Sequence, residues 1–168
     1  MMAQTQTGAL LHNDHVATIQ TLQNLENFLN KQTPKRVPDT ADPAVRKMLN
    51  NLIVTVNGEV GRHFGFEEEH LFPLLAERGE EGIGEFLKQE HASILPLANA
   101  CADAARKGLE EGFTEAGWKQ FFIDCMELVE REIFHIQKEE MGLLAAIAML
   151  VDPETDGELA VTYQSLQD

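Results

Sequence analysis

The chain has 168 residues, 43% of them apolar, and carries 28 acidic against 13 basic residues for a net charge of −15. That is enough for one domain, residues 1–168, with a substantial core. So acidic a chain, with no basic stripe, repels phosphate backbones and excludes nucleic-acid binding, and no apolar run approaches the ~20 residues of a membrane span. The opening Met1-Met2-Ala3-Gln4-Thr5-Gln6-Thr7 lacks the charged and apolar regions of a signal peptide. Cys101 and Cys125 are isolated near apolar helix faces, as expected of buried reduced thiols rather than a disulfide or metal ligands, and a cytoplasmic location follows.

In chain order, Leu11, His15, Ile19, Leu22 and Leu29 recur at helical spacing and predict a first helix over about residues 10–30. Pro34, Pro38 and Pro43 punctuate a loop, and Asp42-Pro43 supplies a cap and first-turn proline. A second helix runs to about Leu75 with the stripe Val45, Leu49, Leu52, Val56, Val60, His63, Glu67, His70, Leu74; Pro73 is expected to kink or end it. Gly58, Gly61 and Gly65 share its opposite face, where they are tolerated or mark a close approach, leaving a homodimer open.

The third helix spans about 83–107, with Leu87, His91, Ile94, Leu95 and Ala98 inward and a bend expected at Pro96. The fourth starts at the cap Thr114 and runs to about Leu150, its inward stripe being Phe121, Cys125, Leu128, Glu132, His135, Glu139, Leu143, Ala146 and Leu150. Asp152-Pro153 stops it, and residues 151–168 form a tail that packs as a short helix or frays. With no strand pattern, the expected fold is all-α: an up-down-up-down four-helix bundle over about residues 10–150 with a short C-terminal tail.

Chemistry concentrates on the inward stripes. His63 and Glu67 lie four residues apart, about 6 Å along a helix and about 40° around it, so both can reach one ion; His135 and Glu139 repeat the spacing. His15 and His91 occupy central inward positions on the other two helices. A lone core histidine is ordinarily a hydrogen-bonded core residue, but two buried carboxylates among four imidazoles are expensive unless metal holds them. Such donors suit iron, manganese or zinc. Six exceed a closed zinc site and suit two ions, with Glu67 and Glu139 bridging and the histidines terminal.

At these residues the pattern Asp14-His15, His63-x-x-x-Glu67-Glu68 leading into Leu71-Phe72-Pro73, Glu90-His91 and His135-x-x-x-Glu139-Glu140 resembles the hemerythrin-like, HHE cation-binding domain. The resemblance covers about residues 10–150. It implies a bundle holding two non-haem iron ions, with manganese or zinc as lesser alternatives, that meets dioxygen, nitric oxide or peroxide. By that analogy His15, His63, Glu67, His91, His135 and Glu139 are the ligands. Oxygen-carrying members place a second histidine one turn after the third-helix histidine, where this chain has Leu95, and end with His-x-x-x-x-Asp rather than His-x-x-x-Glu. Both departures point from oxygen carriage towards sensing, detoxification or iron handling.

Glu67-x-x-His70 and Glu132-x-x-His135 also match the Glu-x-x-His pattern of ferritin-like carboxylate proteins, but that scheme wants a lone Glu where His15 and His91 stand. Glu132 is then either a carboxylate that orients a ligand imidazole or a solvated residue. His12 is expected at the periphery, and Glu68, Glu69 and Glu140 on solvated faces. His70 is expected to face the core, in hydrogen-bonding or ligating reach of the centre. The only tyrosine, Tyr163, lies in the tail with no evident place as a redox relay. Three functions fit: a di-iron sensor or scavenger of small oxidants, a di-iron enzyme acting on peroxide, nitric oxide or ferrous iron, and a metal-controlled interaction module.

Overall fold

The computed structural model describes residues 4–167, with Glu59 described by its backbone alone. Residues 1–3 of the N-terminal segment and residue 168 of the tail lie outside them. The described residues form an all-helical bundle of five helices: α1 (Gln6–Asn30), α2 (43–77), α3 (Gly82–Glu111), α4 (115–150) and α5 (Pro153–Ser165). The four long helices are neighbours in a ring, α1 against α2, α2 against α3, α3 against α4 and α4 against α1.

Caps set the starts. The Thr5 hydroxyl accepts from the Gly8 amide at 2.9 Å, the Asp42 carboxylate from Ala44 at 2.9 Å and the Thr114 hydroxyl from Gly117 at 3.0 Å, each satisfying an amide that the first turn leaves without a helical partner. α3 continues past Gly108, where a Cβ would stand 2.4 Å from the Phe113 ring, and stops at Gly112, whose φ of 76° suits only glycine well.

Two of the helices are not uniform. Within α2, π-helical stretches at Val56–His63 and Glu67–Leu71 interrupt the α-helical segments, and α4 has one at Glu139–Leu143. Widened turns of this kind cluster at functional sites. Here they begin or end on His63, Glu67 and Glu139. α2 does not end at Pro73 but runs to Glu77, because the widened turn ahead of the proline accommodates its missing N–H.

The core is divided. One apolar cluster gathers residues such as Leu25, Leu52, Ala98 and Phe121 at one end of the bundle; the other gathers Leu11, Leu75, Leu87 and Ile147 at the opposite end. On every long helix the candidate ligands fall between the two. A buried polar layer therefore lies between two apolar ones.

The tail is an ordered helix. Asp152 caps α5 by accepting from the Thr155 amide at 3.1 Å. The buried Asp156 carboxylate then accepts from the Gln6 and Thr7 amides at 2.9 Å each, and the Thr7 hydroxyl donates to the Asp156 carbonyl at 3.2 Å. A carboxylate at the N-terminus of α1 also meets the positive end of that helix dipole. These bonds fasten α5 against α1 and bring buried Tyr163 to the polar layer.

Candidate metal centre

The structure brings all six expected residues together. His15, His63, Glu67, His91, His135 and Glu139 are each at most 3% exposed. Their Nε2 atoms converge on the two carboxylates. His15 Nε2 is 2.7 Å from Glu139 Oε2 and His135 Nε2 is 2.5 Å from Glu139 Oε1. His63 Nε2 stands 3.4 Å from both Glu67 and Glu139, and His91 Nε2 3.5 Å from Glu67 and 3.6 Å from Glu139. Two clusters result in which one atom per residue lies within 4.8 Å of the others: Glu67, His91, His135 and Glu139, and His15, His63 and Glu139. Glu139 belongs to both.

These donors fit a cation better than they fit one another. Both Glu67 oxygens and Glu139 Oε1 are buried and form no hydrogen bond, which is costly for a carboxylate. His91 Nε2 and His135 Nε2 face each other at 3.2 Å, so that one of them must carry hydrogen unless a cation takes both lone pairs. Without a cation, the layer must hold protons instead. Burial would depress the His63 and His135 imidazoliums. The carboxylates outweigh it, raising His63 well above the usual histidine value and His135 to about 9. Glu139 would likewise be raised by burial, but the four imidazoles gathered around it hold it well below the usual carboxylate range. Glu67 is pushed well above the usual carboxylate range by burial and by the Glu139 charge.

Outside this layer runs a second set of carboxylates. Glu140 Oε1 lies 2.7 Å from His15 Nδ1, and Glu90 Oε1 3.0 Å from His135 Nδ1. Asp14 is 3.5 Å from His63 Nδ1, and Glu68 3.5 Å from His91 Nδ1. Each acid adjoins a candidate ligand on its own helix and faces the histidine of a neighbouring helix. The contacts close a circuit: α1 to α2, α2 to α3, α3 to α4, α4 to α1. An ionised carboxylate only accepts, so it favours hydrogen on Nδ1 and leaves the Nε2 lone pair for a cation. Glu90 is itself held by Lys138. Phe64 stacks on the His91 ring at 3.7 Å between centroids and fixes its plane.

Several expectations are corrected here. Glu68 and Glu140 are not merely solvated, since each faces a site imidazole; His12 stays at the periphery as expected, 45% exposed, with Nδ1 2.9 Å from Glu140. His70 does not face the core; its side chain is 40% exposed. The π turn from Glu67 spends an extra residue and rotates the helix beyond it, so Leu71 takes the inward position. Leu95 is 38% exposed rather than inward, because the buried stripe of α3 centres between His91 and Ile94 and leaves Leu95 at its rim. Glu132 is buried, 4% exposed, but pairs with no imidazole Nδ1; burial pushes it up to about 7. Tyr163 is at the site after all, its hydroxyl 3.4 Å from His63 Nδ1 and its ring 4.8 Å from Phe66. The acid beside each ligand was visible in the sequence as a repeated pair; Tyr163 carried no such signal.

Residues 7–161 match the family model for the hemerythrin HHE cation-binding domain. The chain belongs to that family. No curated protein matches it significantly. Metal binding is thereby the shared property of this hemerythrin-like chain and its site, whose His and Glu clusters are able to hold an ion. Among the described residues, no helix is long and apolar enough to cross a membrane, and both cysteines are buried and free.

Proposed function

We propose that this hemerythrin-like chain is a non-haem di-iron protein that binds or senses a small oxidant such as dioxygen, nitric oxide or peroxide. His15, His63, Glu67, His91, His135 and Glu139 are its ligands, held in one domain whose long helices alternate up and down. The observation that carries this reading is the pair of donor clusters sharing Glu139 inside a buried polar layer. Iron bound there would supply reversible electron transfer and coordination positions for a small molecule. The protein's part is to pre-shape the site. The outer acids hold the imidazoles, and Phe64 stacks on His91. The apolar clusters on either side keep bulk water out.

A second reading, an enzyme consuming peroxide or nitric oxide, is favoured by Tyr163, whose phenol touches His63. The free buried thiols of Cys101 and Cys125 accord with a cytoplasmic setting. Elemental analysis of protein purified in air, with its ultraviolet–visible spectrum before and after nitric oxide or azide, tests the main reading. About two irons per chain and a near-ultraviolet charge-transfer band that responds to the ligand are expected. About one ion per chain, unchanged in His63→Ala and His135→Ala, sinks it. Catalytic turnover lost in Tyr163→Phe with iron retained selects the enzyme.

A further inference from the structure

We propose that Glu132 is a seventh metal-donor residue of this centre, completing the poorer of its two clusters. The inference rests on the two-ion reading above. Glu67, His91, His135 and Glu139 supply four donors, whereas His15, His63 and Glu139 supply three. Neither Leu95 nor His70, both turned outward, can make up the difference.

Glu132 borders the same space: no oxygen of it joins either 4.8 Å cluster, and a rotation of its side chain would bring one in. It lies on the inward face of α4, three residues before His135 and seven before Glu139, so that one helix presents all three side chains to the layer. It lines the small cavity of about 10 Å³ together with His15, His63, His135 and Glu139, and thus with every member of the three-donor cluster. The residue is 4% exposed and its Oε2 forms no hydrogen bond.

Other roles for such a carboxylate fail on contacts. It does not orient an imidazole, because the four Nδ1 atoms face Asp14, Glu68, Glu90 and Glu140. No lysine or arginine among the described residues pairs with it: the cations near this face, Arg131 and Lys138, go to Glu127 and Glu90. Only Thr18, whose buried hydroxyl likewise lacks a partner, shares the cavity as a neutral polar group. A carboxylate buried without a cation is strongly disfavoured, and a hard oxygen donor beside two imidazoles is suited to iron or manganese. The same charge that burdens the metal-free bundle then becomes a ligand when the ion arrives.

The test compares wild-type protein with Glu132→Gln, and with Glu132→Leu as a second apolar replacement of similar size. Both are loaded anaerobically with ferrous iron and, separately, with cobalt(II). Metal content comes from elemental analysis, affinity from chelator competition, the donor set from the cobalt absorption spectrum, and folding from the thermal midpoint without metal. The expected result is two ions in the wild type, with one ion lost or weakened by at least about tenfold in both variants. The cobalt spectrum shifts, while the metal-free midpoint stays the same or rises. Both variants holding two ions at wild-type affinity with an unchanged cobalt spectrum overturn the inference and leave the two-ion reading standing. Wild-type protein that takes up no more than one ion overturns that reading, and the inference with it.

Discussion

Glu140, on α4, sits 2.7 Å from the Nδ1 of His15, on α1, while the residue before it, Glu139, sits 2.7 Å from the Nε2 of the same ring. Two consecutive glutamates thus hold the two edges of one imidazole, the inner as candidate ligand and the outer as its anchor. The same division of labour recurs at His135, between Glu139 and Glu90. Removing an outer acid should therefore weaken metal binding without touching a ligand. Glu140→Gln and Glu90→Gln are expected to lower affinity by roughly ten- to a hundredfold in chelator competition. Asp14→Asn and Glu68→Gln, whose contacts are longer at 3.5 Å, should cost less. Equal losses from all four would show that charge, not orientation, is what the outer acids provide.

Acid and metal should act on stability with opposite signs. In metal-free protein, burial lifts Glu132 from its ordinary 4.5 to about 7; its contribution is fully present below pH 4.5 and lost as the pH rises through 7. Burial opposes charge on His135 as well, but Glu139, Glu132 and Glu90 raise it from 6.5 to about 9, so its contribution is present below pH 6.5 and lost as the pH rises through 9. The chelated protein should thus lose stability between about pH 4.5 and 9, by roughly 3 kcal/mol per group at most, the Glu132 part mainly below pH 7 and the His135 part above pH 6.5. Metal-loaded protein should gain stability over that range, because protons stop competing for the ligands. Thermal midpoints with and without chelator, measured at pH 6, 7.5 and 9, check the crossing trends; parallel curves contradict them.

The C-terminal helix is held to α1 by buried Leu159 and Tyr163 and, at the start of α1, by the Asp156 carboxylate. Asp156→Ala leaves the Gln6 and Thr7 amides without their partner and should destabilise the protein by about 1–3 kcal/mol. Limited proteolysis should then cut near α5 while the rest of the bundle stays intact. Freed of its mooring, Tyr163 would also leave His63, so the variant should share any spectral change seen in Tyr163→Phe. A proteolysis pattern identical to that of the wild type would sink this.

Two substitutions should be silent. His70→Ala and Leu95→His both alter outward positions, so metal content and affinity are expected to stay within about twofold of wild type, within the scatter of ordinary surface changes. His91→Ala, by contrast, removes a donor that faces Glu67 and Glu139 and should empty at least one position. Metal analysis of the three variants side by side decides it. A gain of affinity in Leu95→His would mean that α3 turns on loading.

Helical periodicity by itself located the long helices, their caps at Asp42 and Thr114, and the inward positions of His15, His63, Glu67, His91, His135 and Glu139. Spacing of three and four residues is a local property that a regular helix converts directly into a face. Where the helix is not regular, that conversion fails. The π turns of α2 moved His70 outward and Leu71 inward, and no local residue preference announces a widened turn. Contacts between helices were equally beyond a single-strand reading. Glu68 and Glu140 look like solvent-facing neighbours of candidate ligands until the adjacent helix places an imidazole against each. Tyr163 reaches His63 across 100 residues because Asp156 and the packing of Leu159 and Tyr163 itself lay α5 against α1. The candidate donors were written along the chain; which carboxylates face their imidazoles, which one lacks a partner and what closes the site depend on how the helices pack.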